Sequence, residues 1–181
     1  MELNQAERQE LLAIAHEAIA ARLRGRPPKL KPNSPRLTAL RAAFVCLKIG
    51  KRLRGCIGQL TATGPLWETV RDMAVEAAFA DPRFLPLTER ELPKVRLEIS
   101  VLSKMRRCHD PGEVEVGRHG LYIVKGGRRG VLLPQVAVEL GWDRETFLAE
   151  TCLKAGCEPE CWRQAGTEIY TFTAEVFGDG E

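Results

Sequence analysis

The chain has 181 residues, of which 44% are hydrophobic and 28% charged, with a formal net charge of +3. That length and apolar share fit one globular domain with a sizeable core and exclude a chain that is disordered throughout. The mild positive balance permits an anionic ligand, but it lacks the concentrated charge of a dedicated nucleic-acid binder.

Asn4 and Glu7 have the spacing of a capping box, with Leu3 ahead of the cap. The helix they open runs to about Arg24, with an apolar stripe of Leu11, Leu12, Ala15, Ala18, Ile19 and Leu23 and a stop at Gly25. Residues 25–35 are rich in Pro, Lys and Arg and read as a linker or extended wrap. Residues 42–49 form a strand that is apolar on both faces, which places Cys46 in the core. Gly50–Lys51 marks a turn and hence a hairpin with the strand that follows. Gly64–Pro65 opens a second helix with the stripe Leu66, Val70, Met73, Ala74 and Ala77. Asp81-Pro82-Arg83-Phe84 ends it, because proline disfavours helix in the residue before it.

Residues 95–102 alternate as a strand, with Glu98 on the polar face. Residues 103–117 read as a loop containing Cys108 and His109. Residues 121–124 and 131–133 are short strands joined by a bend around Arg128 and Arg129. Pro134 starts a short helix ending near Gly141. Asp143 caps another, whose stripe is Phe147, Leu148, Thr151, Cys152 and Ala155. Residues 169–177 form the last strand. This order is not a regular βα alternation. It predicts an α+β fold with a mostly antiparallel sheet flanked by helices, all in one domain spanning residues 1–181, with two lobes as an option.

Six cysteines in a chain of this length fall short of the density of a secreted disulfide scaffold. The N-terminus opens on a charged helix rather than a basic and then apolar run. No apolar stretch has the length of a bilayer span. The expectation is a soluble cytoplasmic protein with reduced thiols. Cys152, Cys157 and Cys161 match neither the paired spacing of structural zinc nor iron–sulfur runs. No cofactor or metal is expected.

The stretch Lys51 to Leu60, KRLRGCIGQL, carries the most chemistry. Period-two alternation puts Arg52, Arg54, Cys56 and Gly58 on one face and Leu53, Gly55 and Ile57 on the other. A guanidinium beside a thiol lowers its pKa, so Arg54 would favour the Cys56 thiolate. The absence of side chains at Gly55 and Gly58 would let a ligand approach the backbone. The structural alternative is a small residue packed between two glycines. The pattern is neither a dinucleotide fingerprint nor a P-loop. Its GxxG lies in a strand rather than between helices, unlike a KH module. Free N–H groups at the start of the Pro65 helix, with Arg52 and Arg54, suit a small anion.

Leu53-Arg54-Gly55-Cys56-Ile57-Gly58 resembles the signature of the AMMECR domain family. The resemblance continues through Asp81-Pro82-Arg83-Phe84, the strand from Glu98 to Ser103, His119-Gly120-Leu121 and Leu132-Leu133-Pro134-Gln135-Val136-Ala137. It ends with Cys152, Lys154-Ala155-Gly156 and Trp162, and so covers nearly the whole chain. Prokaryotic members are similar to protein A of the AmmeMemoRadiSam system, commonly encoded with a Memo-like protein and a radical SAM enzyme. The resemblance implies a two-lobed α/β structure with a mainly antiparallel sheet and a cleft, and supplies no established reaction. It makes Arg54, Cys56, His119 and Gln135 the positions to test, with Glu98 beside them.

Three functions compete. The first is a cysteine-dependent enzyme or enzyme component acting on a small anionic substrate. Cys56 would be the thiolate, Arg54 its activator, His119 or Glu98 the proton carrier, and Arg52, Gly55, Gly58 and Gln135 the substrate contacts. The second is a non-catalytic adaptor for the Memo-like and radical SAM proteins. The third, a nucleic-acid module built on Lys48, Lys51, Arg52, Arg54, Arg128 and Arg129, ranks last. Aromatic residues make up only 6% of the chain and do not interleave with the basic ones.

Overall fold

The computed structural model describes residues 2–180. The chain divides into a first unit of residues 2–102 with 175–180 and a second of residues 103–174. Each holds one four-stranded antiparallel sheet, where the sequence predicted a single sheet. Among the described residues no helix is long and apolar enough to cross a membrane.

In the first unit, α1 (Gln5–Leu23) starts from the predicted capping box. Asn4 accepts the Glu7 N–H at 2.9 Å and Glu7 accepts the Asn4 N–H at 2.9 Å. The Pro-rich stretch after α1 is an extended strap held by the helix's own carboxylates. Glu17 accepts the Lys29 N–H, and Glu10 accepts the Asn33 and Ser34 N–H groups. Strands β1 (Ala43–Ile49), β2 (Arg52–Gly58), β3 (Val95–Leu102) and β8 (Ala174–Gly178) form a sheet in the order β2-β1-β3-β8. Alternation in β1 and β3 sends Val45, Leu47, Leu97 and Ile99 into the core with Leu11 and Ile19 of α1 and with Val70 and Ala74 of α2 (Leu66–Phe79). Pro65 is the cap residue of α2 rather than its first helical residue, so the helix begins one residue later than predicted.

The opposite face of β1 is not core. Cys46 is half-buried rather than enclosed, and it is joined to Cys56 by a disulfide. The expectation of reduced thiols therefore does not describe this structure, since Cys152 and Cys161 are joined as well and only Cys108 and Cys157 are free. The reason for the first pair lies in the register of the hairpin, described below.

The second unit has the sheet order β4-β7-β5-β6, from β4 (Arg106–Cys108), β7 (Thr167–Phe172), β5 (Gly120–Lys125) and β6 (Arg128–Leu132). Helices α3 (Pro134–Glu139) and α4 (Arg144–Lys154) follow, with Phe147, Leu148 and Cys152 packed on Leu121, Ile123 and Ile169. The predicted loop over 103–117 contains β4, which is too short and too charged to show periodicity. The single last strand predicted over 169–177 is two strands. The break at Thr173 separates β7, which pairs with β4 and β5, from β8, which lies beside β3 in the other sheet.

Candidate functional site

The β1–β2 hairpin turns at Gly50, whose φ of 60° is one that side chains resist, followed by Lys51. Pairing starts as Ile49 with Arg52 and Lys48 with Leu53, then shifts so that Leu47 meets Gly55 and Cys46 meets Cys56. The extra residue is Arg54, a β-bulge. Without it Cys46 would face Gly55. With it, the two cysteine Cα atoms stand 4.0 Å apart. That close approach belongs to a non-hydrogen-bonded antiparallel pair, in which the backbone groups point away from the partner strand.

On its other side Cys46 is paired with Glu98 of β3, so Cys56, Cys46 and Glu98 form one row across the sheet. Lys48, two residues along β1 on the same face, donates to Glu98 Oε2 at 2.7 Å. Cys56, Cys46, Lys48 and Glu98 are all half-buried. Sequence reasoning named Cys56 and Glu98 but placed Cys46 in the core. Its visible signal was its position across a short turn from Cys56.

β2 is the edge strand of this sheet, and the Cys56 backbone groups are turned outward. The segment after α2 clasps them. Asp81 accepts the Cys56 N–H at 2.9 Å, and Arg83 Nη2 donates to the Cys56 carbonyl at 3.3 Å. Asp81 is itself bound by Arg83 through the backbone N–H at 3.1 Å, Nε at 3.0 Å and Nη2 at 2.7 Å. The guanidinium, helped by the two backbone donors, holds the buried Asp81 carboxyl well below the usual carboxylate range, against the opposing effect of burial. Asp81 and Arg83 were legible as a motif and a helix stop, but their bond to Cys56 was not.

Arg54 is drawn to a different partner from the one expected. Its Nε and Nη2 donate to Glu91 at 2.8 and 3.2 Å, and Nη2 reaches the Pro86 carbonyl at 3.4 Å. This pairing brings Glu91 down to about 2. Phe84 lies under both guanidinium groups, 6.0 Å from Arg54 and 5.4 Å from Arg83. Arg52 is exposed at the start of β2, opposite Ile49.

The two glycines have packing roles. A Cβ at Gly55 would overlap the Ala77 carbonyl oxygen of α2, and one at Gly58 would overlap the Phe44 ring. The space expected for a ligand on those sides is filled by the protein. The first N–H of α2, at Leu66, donates to the Ala39 carbonyl at 2.9 Å, so the chain itself closes part of that helix end.

His119 and Gln135 belong to the second unit. His119 Nδ1 accepts the Glu115 N–H at 3.1 Å, closing the turn before β5. A backbone N–H can only donate, so the neutral ring carries its proton on Nε2. Gln135 stands in the first turn of α3 and is half-buried. Among the described residues, no group of three or more His, Cys, Asp or Glu side chains is arranged to hold a metal ion.

These features define an α+β protein whose edge hairpin carries paired cysteines, gripped from outside by an Asp–Arg clasp. The AMMECR1 family model matches residues 12–177, and the chain belongs to that family. It is similar to protein MK0488 of Methanopyrus kandleri, at 40% identity over 99% of this chain and 91% of that one. Protein PF1979 of Pyrococcus furiosus is 44% identical over 92% of this chain and 85% of that one. Among solved structures, the crystal structure of uncharacterized protein PH0010 from Pyrococcus horikoshii superposes with a TM-score of 0.89. It is 40% identical and covers 94% of this chain and 90% of that chain.

Proposed function

We propose that the protein is a cysteine-dependent component working by thiol–disulfide exchange, with Cys46 and Cys56 as the redox couple. The observation that carries this reading is the hairpin register, which sets the two cysteines directly opposite one another on a half-exposed face. In the reduced form, one thiolate attacks a disulfide of a partner protein and releases one partner thiol. The second cysteine then attacks the mixed disulfide, forms the Cys46–Cys56 bond and releases the other thiol. Two electrons and two protons pass to the partner. Glu98 and Lys48, a carboxylate and an ammonium beside Cys46, are placed to take part in the proton movements.

The partners implied by the family resemblance, a Memo-like protein and a radical SAM enzyme, are the first to test. The reading also keeps the protein in a reducing cytoplasm, where a cycling disulfide is catalytic or sensory rather than structural.

The test is titration of the purified protein through graded glutathione buffers, followed by alkylation and mass measurement. Two thiols should appear and disappear together, assigned by Cys46→Ser and Cys56→Ser. A pair that stays reduced in the most oxidising buffer would overturn the reading. So would a Cys56→Ser variant that still completes reduction of the partner disulfide instead of stopping at the mixed disulfide. In that case the adaptor function would stand, tested by capture of the two partner proteins.

A further inference from the structure

We propose that Asp81 and Arg83 are positioning residues for the Cys46–Cys56 couple, holding the Cys56 backbone in place in both oxidation states and thereby setting how readily the two sulfurs join. This inference rests on the redox reading of that pair.

Among the described residues, β2 has β1 on one side and no strand on the other. At a non-hydrogen-bonded position, the ladder gives Cys56 no grip on Cys46 through its own N–H and C=O. When the disulfide is reduced, the covalent link is gone as well. What engages both of those backbone groups is the clasp, Asp81 on the N–H and Arg83 on the carbonyl.

The clasp is anchored on a firm base. Asp81 follows directly on the end of α2, where Ala80 N–H donates to Glu76 O at 2.8 Å and Leu87 N–H returns to Ala78 O at 2.8 Å. The Asp81 side chain is only 2% exposed and accepts four hydrogen bonds. Gly55, next to Cys56, lies against the Ala77 carbonyl of the same helix. Cys56 is thus tied through its own backbone groups to the end of α2, while its neighbours Gly55 and Ile57 pair with β1. A dithiol held in its bonding geometry loses little freedom when the disulfide closes, so its effective concentration is high and the disulfide is favoured.

Loosening the clasp should therefore make the disulfide easier to reduce. The test is the midpoint potential of the pair in the full chain, measured in glutathione buffers by alkylation and mass. Asp81→Asn and Arg83→Ala are each expected to lower the constant for forming the disulfide at least tenfold, a rise of about 30 mV for a two-electron couple. The Arg83 side chain is 54% exposed, so Arg83→Ala keeps the test open if Asp81→Asn does not fold. Glu175→Gln turns one acceptor oxygen into an amide donor, so it cannot keep both the 2.9 Å bond from Arg41 and the 2.7 Å bond from the Leu3 N–H elsewhere in the unit. It should lower the melting temperature and leave the potential where it was.

Clasp variants with the wild-type potential, in a protein whose pair cycles, would overturn this inference alone. So would a Glu175→Gln shift equal to theirs. A wild-type pair that does not cycle at all would overturn the redox reading itself, and the inference with it.

Discussion

The Asp81 carboxylate accepts the Cys56 N–H at 2.9 Å while it holds the Arg83 guanidinium at 2.7 and 3.0 Å. A second carboxylate, Glu91, grips Arg54 two residues earlier on the same strand. Both carboxyls are depressed by their arginine partners, Glu91 from 4.5 to about 2 and Asp81 well below the usual carboxylate range. A depressed folded pKa gives stability that is complete above the unfolded value and is lost as pH falls through the folded one. Denaturant melts should therefore weaken from about pH 4.5 downwards through pH 2. Asp81→Asn should cost about 2 kcal/mol at neutral pH and flatten this acid limb. An acid limb equally steep in the variant would refute the assignment.

Glycine replacements separate packing from conformational freedom. Gly55→Ala forces a methyl onto the Ala77 carbonyl, and Gly130→Ala forces one onto the Thr151 carbonyl of α4 and the N–H of Ala155, which caps that helix. Backbone cannot yield as a side-chain tip can, so each should lose about 3 kcal/mol by thermal or chemical melting. Gly64→Ala, with nothing within 4 Å of its Cβ, should stay within about 0.5 kcal/mol of wild type. Equal effects at all three positions would contradict the close approaches described.

The strap after α1 depends on helix carboxylates. Glu10 receives the Asn33 N–H at 2.5 Å, the Asn33 Nδ2 at 2.7 Å and the Ser34 N–H at 3.4 Å. Glu10→Ala should speed hydrogen exchange at the Asn33 and Ser34 amides by tenfold or more while global stability changes by less than about 1 kcal/mol. Asn4→Ala, by contrast, should cost about 1 kcal/mol through loss of the cap. Unchanged exchange at residues 33 and 34 would show that the strap is held by something else.

The two free thiols should differ in reactivity. Cys108 is 8% exposed, and burial, followed by Glu113 and Asp110, pushes its thiol pKa up. Cys157 is half-buried beside Lys125 and Arg128 in a hollow of about 470 Å³. Native-state alkylation at pH 8 should modify Cys157 at least tenfold faster than Cys108. Peptide mapping in which Cys108 reacts first would reverse the assignment.

Much of the local structure could be read directly from the residues. The capping box at Asn4 and Glu7, the turn at Gly50 and the helix end at Asp81-Pro82 follow from short-range rules, and each is present. Alternation in residues 95–102 correctly buried Leu97 and Ile99 and left Glu98 on the other face. The last strand was misread because β-propensity continues through Thr173, while the choice of partner strand on either side of it is a long-range matter.

The order of residues alone therefore settled most of the helices and strands, where the hairpin turns, and that Cys56 lies between two glycines. It did not settle what Cys56 faces. A regular hairpin on the Gly50–Lys51 turn would have set Cys46 against Gly55, and the bulge at Arg54 moved it by one place to Cys56. That slip is supported by groups far away in the chain: Glu91 on Arg54, Ala77 against Gly55, and Asp81 with Arg83 on the Cys56 backbone. Register in an edge strand is decided by contacts across the fold, because period-two alternation is blind to a single inserted residue.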